Sequence, residues 1–240
     1  MKIAVLFDGA GLSRLGLEQA GHECVGVELN PIAHHLSLMV GSGNCILADA
    51  TTFDLTPYDA VWCSPPCQKR SSARTSGEAS GQYANDYLNW CMTSIINPTL
   101  WVENVSVQGK GKDDWGVLWN AAQFTPQPIQ CRNRVIGGRY NHPDTFRPYA
   151  RSYGKICPTI TATEYKGCAT DTRRASRFYG RKLTIDECAY HQGFQVPLGW
   201  HVKPDIFEGS DAKWNYELYR AIGNGVPVYM AKAFGDKHKV

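Results

Sequence analysis

One thiol in this chain sits where nucleophilic chemistry could be done. Cys67 stands in Ser64-Pro65-Pro66-Cys67-Gln68, directly after the apolar run Asp59-Ala60-Val61-Trp62. That order reads as a buried strand entering a turn stiffened by two prolines, with the sulfur at its tip. Glu103 closes a second apolar run in Trp101-Val102-Glu103-Asn104-Val105, and two guanidinium groups alternate in Gln130-Cys131-Arg132-Asn133-Arg134. On a strand, residues two apart share a face, so Arg132 and Arg134 are expected to point the same way. A thiolate favoured by nearby positive charge attacks electron-poor carbon, and an enclosed carboxyl of raised pKa can share a proton with the group under attack.

The other cysteines have no such setting. Nine is an odd count in irregular spacing, which argues against a secreted disulfide framework and for reduced thiols inside a cell. Cys24 and Cys45 read as core, and Cys63 lies on the strand below Cys67. Paired Cys-x-x-Cys spacing is absent, so no metal site is expected.

The elements that must position these groups alternate. Strands are expected over residues 2–7, 24–28, 44–48, 59–63 and 99–103, and helices over 11–20, 32–40 and 84–96, with Pro31 at a favourable first helical position. Such alternation predicts an α/β fold with a doubly wound, mostly parallel sheet. Phe7-Asp8-Gly9-Ala10-Gly11 lies between the first strand and the first helix, where small residues let a ligand approach the backbone. Gly16 falls five residues past Gly11 rather than three, so the dinucleotide fingerprint is incomplete and an NAD-dependent reductase is disfavoured. Glu28 ends the second strand, where a carboxylate can accept from a ribose diol, and Asp49 follows the third, placed to accept from an adenine amino group. A Gly-x-Gly turn on its own favours a structural role, and only the other motifs turn it toward a ligand. Between Gln68 and Gln82 the chain is basic and hydroxyl-rich without apolar periodicity, which predicts a loop.

Charge is uneven. Residues 132–182 hold twelve basic side chains against three acidic ones, with seven aromatics interleaved. A polyanion suits such a segment, although a solvated basic loop region has the same composition. No apolar stretch approaches the length of a membrane span, and the N-terminal apolar run stops at Asp8, too soon for a signal peptide.

Taken in order, Phe7-Asp8-Gly9-Ala10-Gly11, Pro65-Pro66-Cys67-Gln68, Glu103-Asn104-Val105, Gln130-Cys131-Arg132-Asn133-Arg134 and Gly223-Asn224-Gly225-Val226-Pro227 resemble the cytosine-5 DNA methyltransferase family. Pro158-Thr159-Ile160-Thr161 and Gln192-Gly193-Phe194 resemble further elements of it, so the likeness runs from Lys2 to about Phe234. The resemblance implies a Rossmann-like fold that binds S-adenosylmethionine without a metal, in two lobes. Residues 1–135 and 215–240 would form the catalytic domain, with the tail returning to the first lobe, and 136–214 a small target-recognition lobe.

It further implies that Cys67 adds to carbon 6 of a cytosine, that Glu103 holds the N3 edge, and that Arg132 and Arg134 contact the base and order the site. The methyl donor would lie against Phe7, Gly9, Ala10, Gly11, Leu12, Glu28, Leu29, Asp49, Ala50, Pro66, Asn224 and Val226. Because a stacked base cannot offer both ring faces, the cytosine must be flipped out, with Gln68, Ser71 and Arg74 as candidate DNA contacts. The chain departs from the family pattern after Gln68, where Lys69-Arg70-Ser71 replaces the commoner Phe-Ser. Few residues are left to read bases, which predicts a recognition sequence of about two to four base pairs. The expected role is an intracellular, monomeric enzyme of restriction–modification or phage protection. One branch of the family methylates tRNA, so RNA is an alternative substrate, and a non-catalytic DNA-binding relative is another reading.

Overall fold

The computed structural model describes residues 1–66, 83–105, 115–125, 130–142, 159–160 and 183–239, with side chains of the third helix described from Tyr87 onward. Cys67, Gln68, Ser71 and Arg74 lie outside the described residues, as do residues 143–158 and 161–182 of the expected recognition lobe.

Strand β1 (Lys2–Leu6) is an interior strand of a seven-stranded sheet. Its alternation decides the layers. Ile3 and Val5 pack on one face with Leu17, Trp62, Trp101, Met230 and Phe234. Ala4 and Leu6 pack on the other with Val61, Cys63, Leu88, Cys91 and Leu100. A strand buried on both faces needs no polar positions, and β1 has none after Lys2. Helix α1 (Leu12–Gln19) leads to β2 (Glu23–Glu28), α2 (Pro31–Ser37) and β3 (Cys45–Leu47), and β4 (Ala60–Cys63) then enters on the opposite side of β1. Helix α3 (Tyr83–Ser94) precedes β5 (Thr99–Asn104). Strands β6 (Val117–Asn120) and β7 (Asn133–Arg139) follow, and α4 (Ile185–Gln192), α5 (Asp211–Asn224) and α6 (Val228–Asp236) complete the chain.

The strand order is β3-β2-β1-β4-β5-β7-β6. Strands β1 to β5 are parallel, and β7 runs antiparallel to both β5 and β6. The α/β, doubly wound, mostly parallel sheet expected from the sequence is thus present. Its direction of winding reverses between β1 and β4, and ligands bind doubly wound sheets beyond the strand ends at such a switch point.

Three local choices shape that end of the sheet. The first strand stops at Leu6 rather than Phe7, because Phe7 turns left-handed at φ 57°. A side chain in that region is strained by about 1–3 kcal/mol, which the surroundings must offset. Asn30 caps α2, its side chain accepting from the Ile32 and Ala33 N–H groups at 2.9 and 3.0 Å, with Pro31 at the first helical position as expected. Gly16 lets α1 lie against α6: a Cβ there would stand 2.3 Å from the Val228 carbonyl oxygen.

The helices α4 and α5 share a third apolar cluster with α2, in which Cys188, Trp200, Trp214, Leu218 and Ile222 pack against Ala10, Leu36 and Val40. The Trp200 indole N–H donates to the Leu36 carbonyl at 3.0 Å, fixing the segment after α4 to the end of α2. Helices α5 and α6 flank the turn at 225–227 and pack on the first half of the chain, as the expected return of the tail requires.

Candidate active site

Beyond the carboxyl ends of β1 and β4 opens a cavity of about 350 Å³. Its floor is the glycine turn, its walls are the starts of α1 and α2, the Ser64–Pro66 turn, the end of β5, and one face of α5. Ten of the residues singled out from sequence line it: Phe7, Gly9, Ala10, Leu12, Glu28, Pro66, Glu103, Arg134, Asn224 and Val226.

The glycine turn is held from two directions. Above it, Glu28 accepts from the Gly9 N–H at 2.8 Å and from the Asn30 N–H at 2.8 Å, which ties β2 to the turn. Burial pushes the Glu28 carboxyl above its ordinary value, against the pull of those backbone donors. Below it, Asp8 and Arg14 form an ion pair at 3.2 Å, neither side chain reaching solvent. Arg14 also donates to the Ser37 carbonyl at 2.7 Å, the Val40 carbonyl at 3.1 Å and Glu18 at 3.0 Å, while the Ser37 hydroxyl donates to Asp8 at 2.5 Å. Burial raises the Asp8 pKa in spite of Arg14 and Ser37. Gly26 makes room for this carboxylate, since a Cβ there would lie 2.3 Å from Asp8 Oδ2. Neither Asp8 nor Arg14 was singled out from sequence. A charged residue inside the glycine turn, six positions before a basic residue on the next helix, was the available signal.

At the other end, Arg134 Nε meets Glu103 Oε1 at 2.6 Å. Both are nearly buried, Glu103 at the end of β5 and Arg134 near the start of β7, brought together because the two strands pair with Asn104 opposite Val135. Burial pushes the Glu103 carboxyl above the glutamate range, with Arg134, Arg132 and a hydrogen bond from Ser64 pulling the other way. The Ser64–Pro66 turn is fixed to both neighbouring strands. The Ser64 N–H donates to the Leu6 carbonyl at 3.2 Å, the Asn104 side chain to the Pro65 carbonyl at 3.1 Å, and the Trp62 indole to the Ser64 hydroxyl at 2.9 Å. The sequence continues from Pro66 directly into Cys67.

Five of the expected residues do not line the cavity. Arg132 precedes β7 instead of lying on it, so strand alternation does not bring it beside Arg134. It is buried and donates to the carbonyls of Ile160, Gly223 (2.7 Å) and Gly225 (3.0 Å). With Gln192, which donates to Ile222 at 2.6 Å, it braces the tail turn that carries Asn224 and Val226. Gly11, at φ 85°, precedes the first residue of α1, and a Cβ on it would stand 2.8 Å from Arg14. Leu29 is 61% exposed, and Ala50 is buried in the core. Asp49 accepts from the Thr51 N–H and hydroxyl, each at 2.8 Å. Lining residues not anticipated include Asn30, Ser64, Asn104, Glu217 and Arg220.

Among the described residues no group of three or more His, Cys, Asp and Glu side chains could hold a metal, and no helix is long and apolar enough to cross a membrane.

A nucleotide-sized cavity at the switch point, opening onto a buried acid–guanidinium pair, belongs to a Rossmann-like methyltransferase fold. Solved structures with that fold superpose over nearly the whole chain. S. pombe Dnmt2 methyltransferase gives a TM-score of 0.63 at 14% identity, covering 97% of this chain and 96% of that one. A protein described as a DNA modification methyltransferase encoded within prophage Cp (E. coli) gives 0.62 at 16% identity, covering 99% and 98%. The Entamoeba histolytica methyltransferase EhMeth gives 0.58 at 13% identity, covering 97% and 96%. No curated protein matches the chain in sequence. The model of the C-5 cytosine-specific DNA methylase family matches residues 106–240, more than half of the chain, and the protein belongs to that family.

Proposed function

We propose that the protein transfers a methyl group from S-adenosylmethionine to carbon 5 of a flipped-out cytosine in DNA, with Cys67 as the nucleophile. The observation that carries this reading is that one cavity joins the glycine turn to the Glu103–Arg134 pair and the Ser64–Pro66 turn. A volume of about 350 Å³ lies in the range of small-molecule sites, roughly 300–1,000 Å³. The lining fits a nucleoside donor: glycine backbone as floor, a carboxylate at Glu28 for a ribose diol, and the apolar side chains of Phe7, Leu12 and Ile32. When bound, the donor supplies an electrophilic methyl group on a sulfonium.

The chain's own residues do the rest. Cys67 attacks carbon 6 of the cytosine as thiolate, which turns carbon 5 into an enamine-like nucleophile. Glu103, kept protonated to higher pH by enclosure, shares its proton with N3 and draws electrons from the ring. Arg134 fixes the orientation of that carboxyl. After transfer, water removes the carbon 5 proton and the thiolate leaves. Arg132 acts at one remove, holding the tail turn against the donor pocket.

The basic, aromatic-rich segment 132–182 supports a nucleic acid partner, and the shortness of the stretch from Gly137 to about Ile156 supports a recognition sequence of few base pairs. Gln68, Ser71 and Arg74 would meet DNA beside the flipped base, and residues 136–214 would include the reduced recognition lobe. A monomer working inside the cell, in restriction–modification or phage protection, is consistent with this chemistry. Transfer of tritium from labelled donor to unmethylated plasmid, with bulk tRNA in parallel, tests the substrate. Label in carbon-5-methylcytosine of the plasmid is expected, and label in tRNA alone would move the substrate to RNA.

A further inference from the structure

The charged groups that line the cavity divide into those bonded deep in the site and one partly exposed pair at its wall. Asp8 is spent on Arg14 and Ser37, its side chain closed to solvent. Glu28 takes the N–H groups of Gly9 and Asn30 at the β2 end. Glu103 and Arg134 face each other at the chemical end. What remains is Glu217 and Arg220, on α5.

Their placement is not that of an ordinary surface pair. Glu217, Arg220, Ala221 and Asn224 fall at helical spacings of three, four and seven, so they form one stripe, and all four line the cavity. Arg220 lies about one turn and Glu217 about two turns back from Asn224 along the helix. Arg220 Nε meets Glu217 Oε2 at 3.3 Å with the side chains 44% and 22% exposed, and the two Nη groups make no bond among the described residues. The same cavity is lined by Ile32, Ala33 and Leu36 of α2, and Ala10 and Leu36 pack with Leu218 and Ile222. A guanidinium and a carboxylate held side by side at a cavity wall match one kind of ligand group, a zwitterion with carboxylate and ammonium on the same carbon. The Nη donors form a fork suited to a carboxylate, and Glu217 accepts from an ammonium.

We infer that Arg220 and Glu217 bind the α-amino-acid end of the methyl donor, Arg220 its carboxylate and Glu217 its ammonium. This rests on the donor being S-adenosylmethionine, as proposed above. It assigns the pair to affinity for donor and product, not to the methyl transfer itself.

The test compares two ligands that share the adenosine and differ only in that end: S-adenosylhomocysteine, which has it, and 5′-methylthioadenosine, which lacks it. Calorimetric titration of the full chain is expected to show wild type preferring S-adenosylhomocysteine. Arg220→Ala should lower affinity for that ligand about tenfold, the scale of a charge-assisted bond discounted for partial exposure, and leave 5′-methylthioadenosine unchanged. Arg220→Lys should restore part of the preference, and Glu217→Gln should lose a smaller part. Equal weakening of both ligands would mean a damaged pocket and would overturn the inference, as would no change in either. A raised KM for nucleic acid with unchanged binding of both ligands would assign Arg220 to the substrate and overturn it too. Wild type that binds S-adenosylhomocysteine while Arg220→Ala does equally well defeats this inference alone. Wild type that binds neither ligand defeats the donor assignment along with it.

Discussion

At the scale of residues, the site depends on charges kept out of water. Glu103 feels two opposed influences, burial that favours the neutral acid and Arg134 at 2.6 Å that favours the carboxylate. Burial prevails in direction, so the folded chain holds the Glu103 proton to higher pH than the unfolded chain does. Stability linked to this group is therefore full below the ordinary glutamate range and declines as pH climbs from there through the raised folded value. Glu103→Gln should flatten that part of the stability–pH curve, measured by urea denaturation across pH 4 to 8. It should also lower turnover by about 10²–10⁴-fold, the usual contribution of a positioned acid. Unchanged turnover would remove Glu103 from the chemistry.

Arg14 and Asp8 make a second case, with structure rather than reaction at stake. Deleting one partner of a buried ion pair leaves the other uncompensated, at a cost of about 3–5 kcal/mol. Arg14→Met should lose roughly that much, and adding Asp8→Ala should recover part of it, since the orphaned carboxylate is then gone. A double variant less stable than Arg14→Met, by thermal melting, would mean that Asp8 has another essential partner.

At the scale of elements, the parallel strands could be read because each is a short apolar run bounded by turn residues. Strands β1, β2, β4 and β5 fall within a residue or so of their expected limits. Phe7 escaped because apolar character continues one residue beyond the extended backbone. Strand β6 escaped because Val117–Asn120 is four residues long and lies at the sheet edge, paired with β7 alone. The same limit explains Arg132. Spacing put it on the strand with Arg134, but the strand begins one residue later, and its partners in the tail lie about ninety residues away. Local pattern found ten of the residues that line the cavity, because the glycine turn, Glu28 and the Gly-Asn-Gly-Val turn each carry their own signature. It missed the α5 stripe, since Glu217 and Arg220 gain meaning only once that helix is laid over the cavity. Gly16 was noticed as a misplaced member of a nucleotide motif, yet its role is the contact between α1 and α6. Gly16→Ala should therefore cost about 1–3 kcal/mol, as overpacking does, because the atom met is a backbone oxygen that cannot swing aside. A melting temperature equal to wild type would contradict that packing argument.

At the scale of the whole molecule, a sheet switch point joins two half-sites from distant parts of the chain. The first 66 residues build the floor of the cavity, β5 and β7 bring the acid and its guanidinium, and the tail closes the wall. Arg132, Gln130 and Gln192 knit these parts together through backbone carbonyls, with Gln130 donating to the His191 carbonyl at 2.8 Å. The proposal that this assembly serves covalent attack on cytosine is tested most directly by trapping. Duplex DNA containing 5-fluorocytosine cannot lose fluorine after methyl transfer, so the covalent complex persists. Incubated with S-adenosylmethionine, the wild-type protein should form a denaturation-resistant adduct on gels, and Cys67→Ser should form none. An adduct that survives in Cys67→Ser, or methyl transfer to ordinary cytosine by that variant at the wild-type rate, would contradict the account.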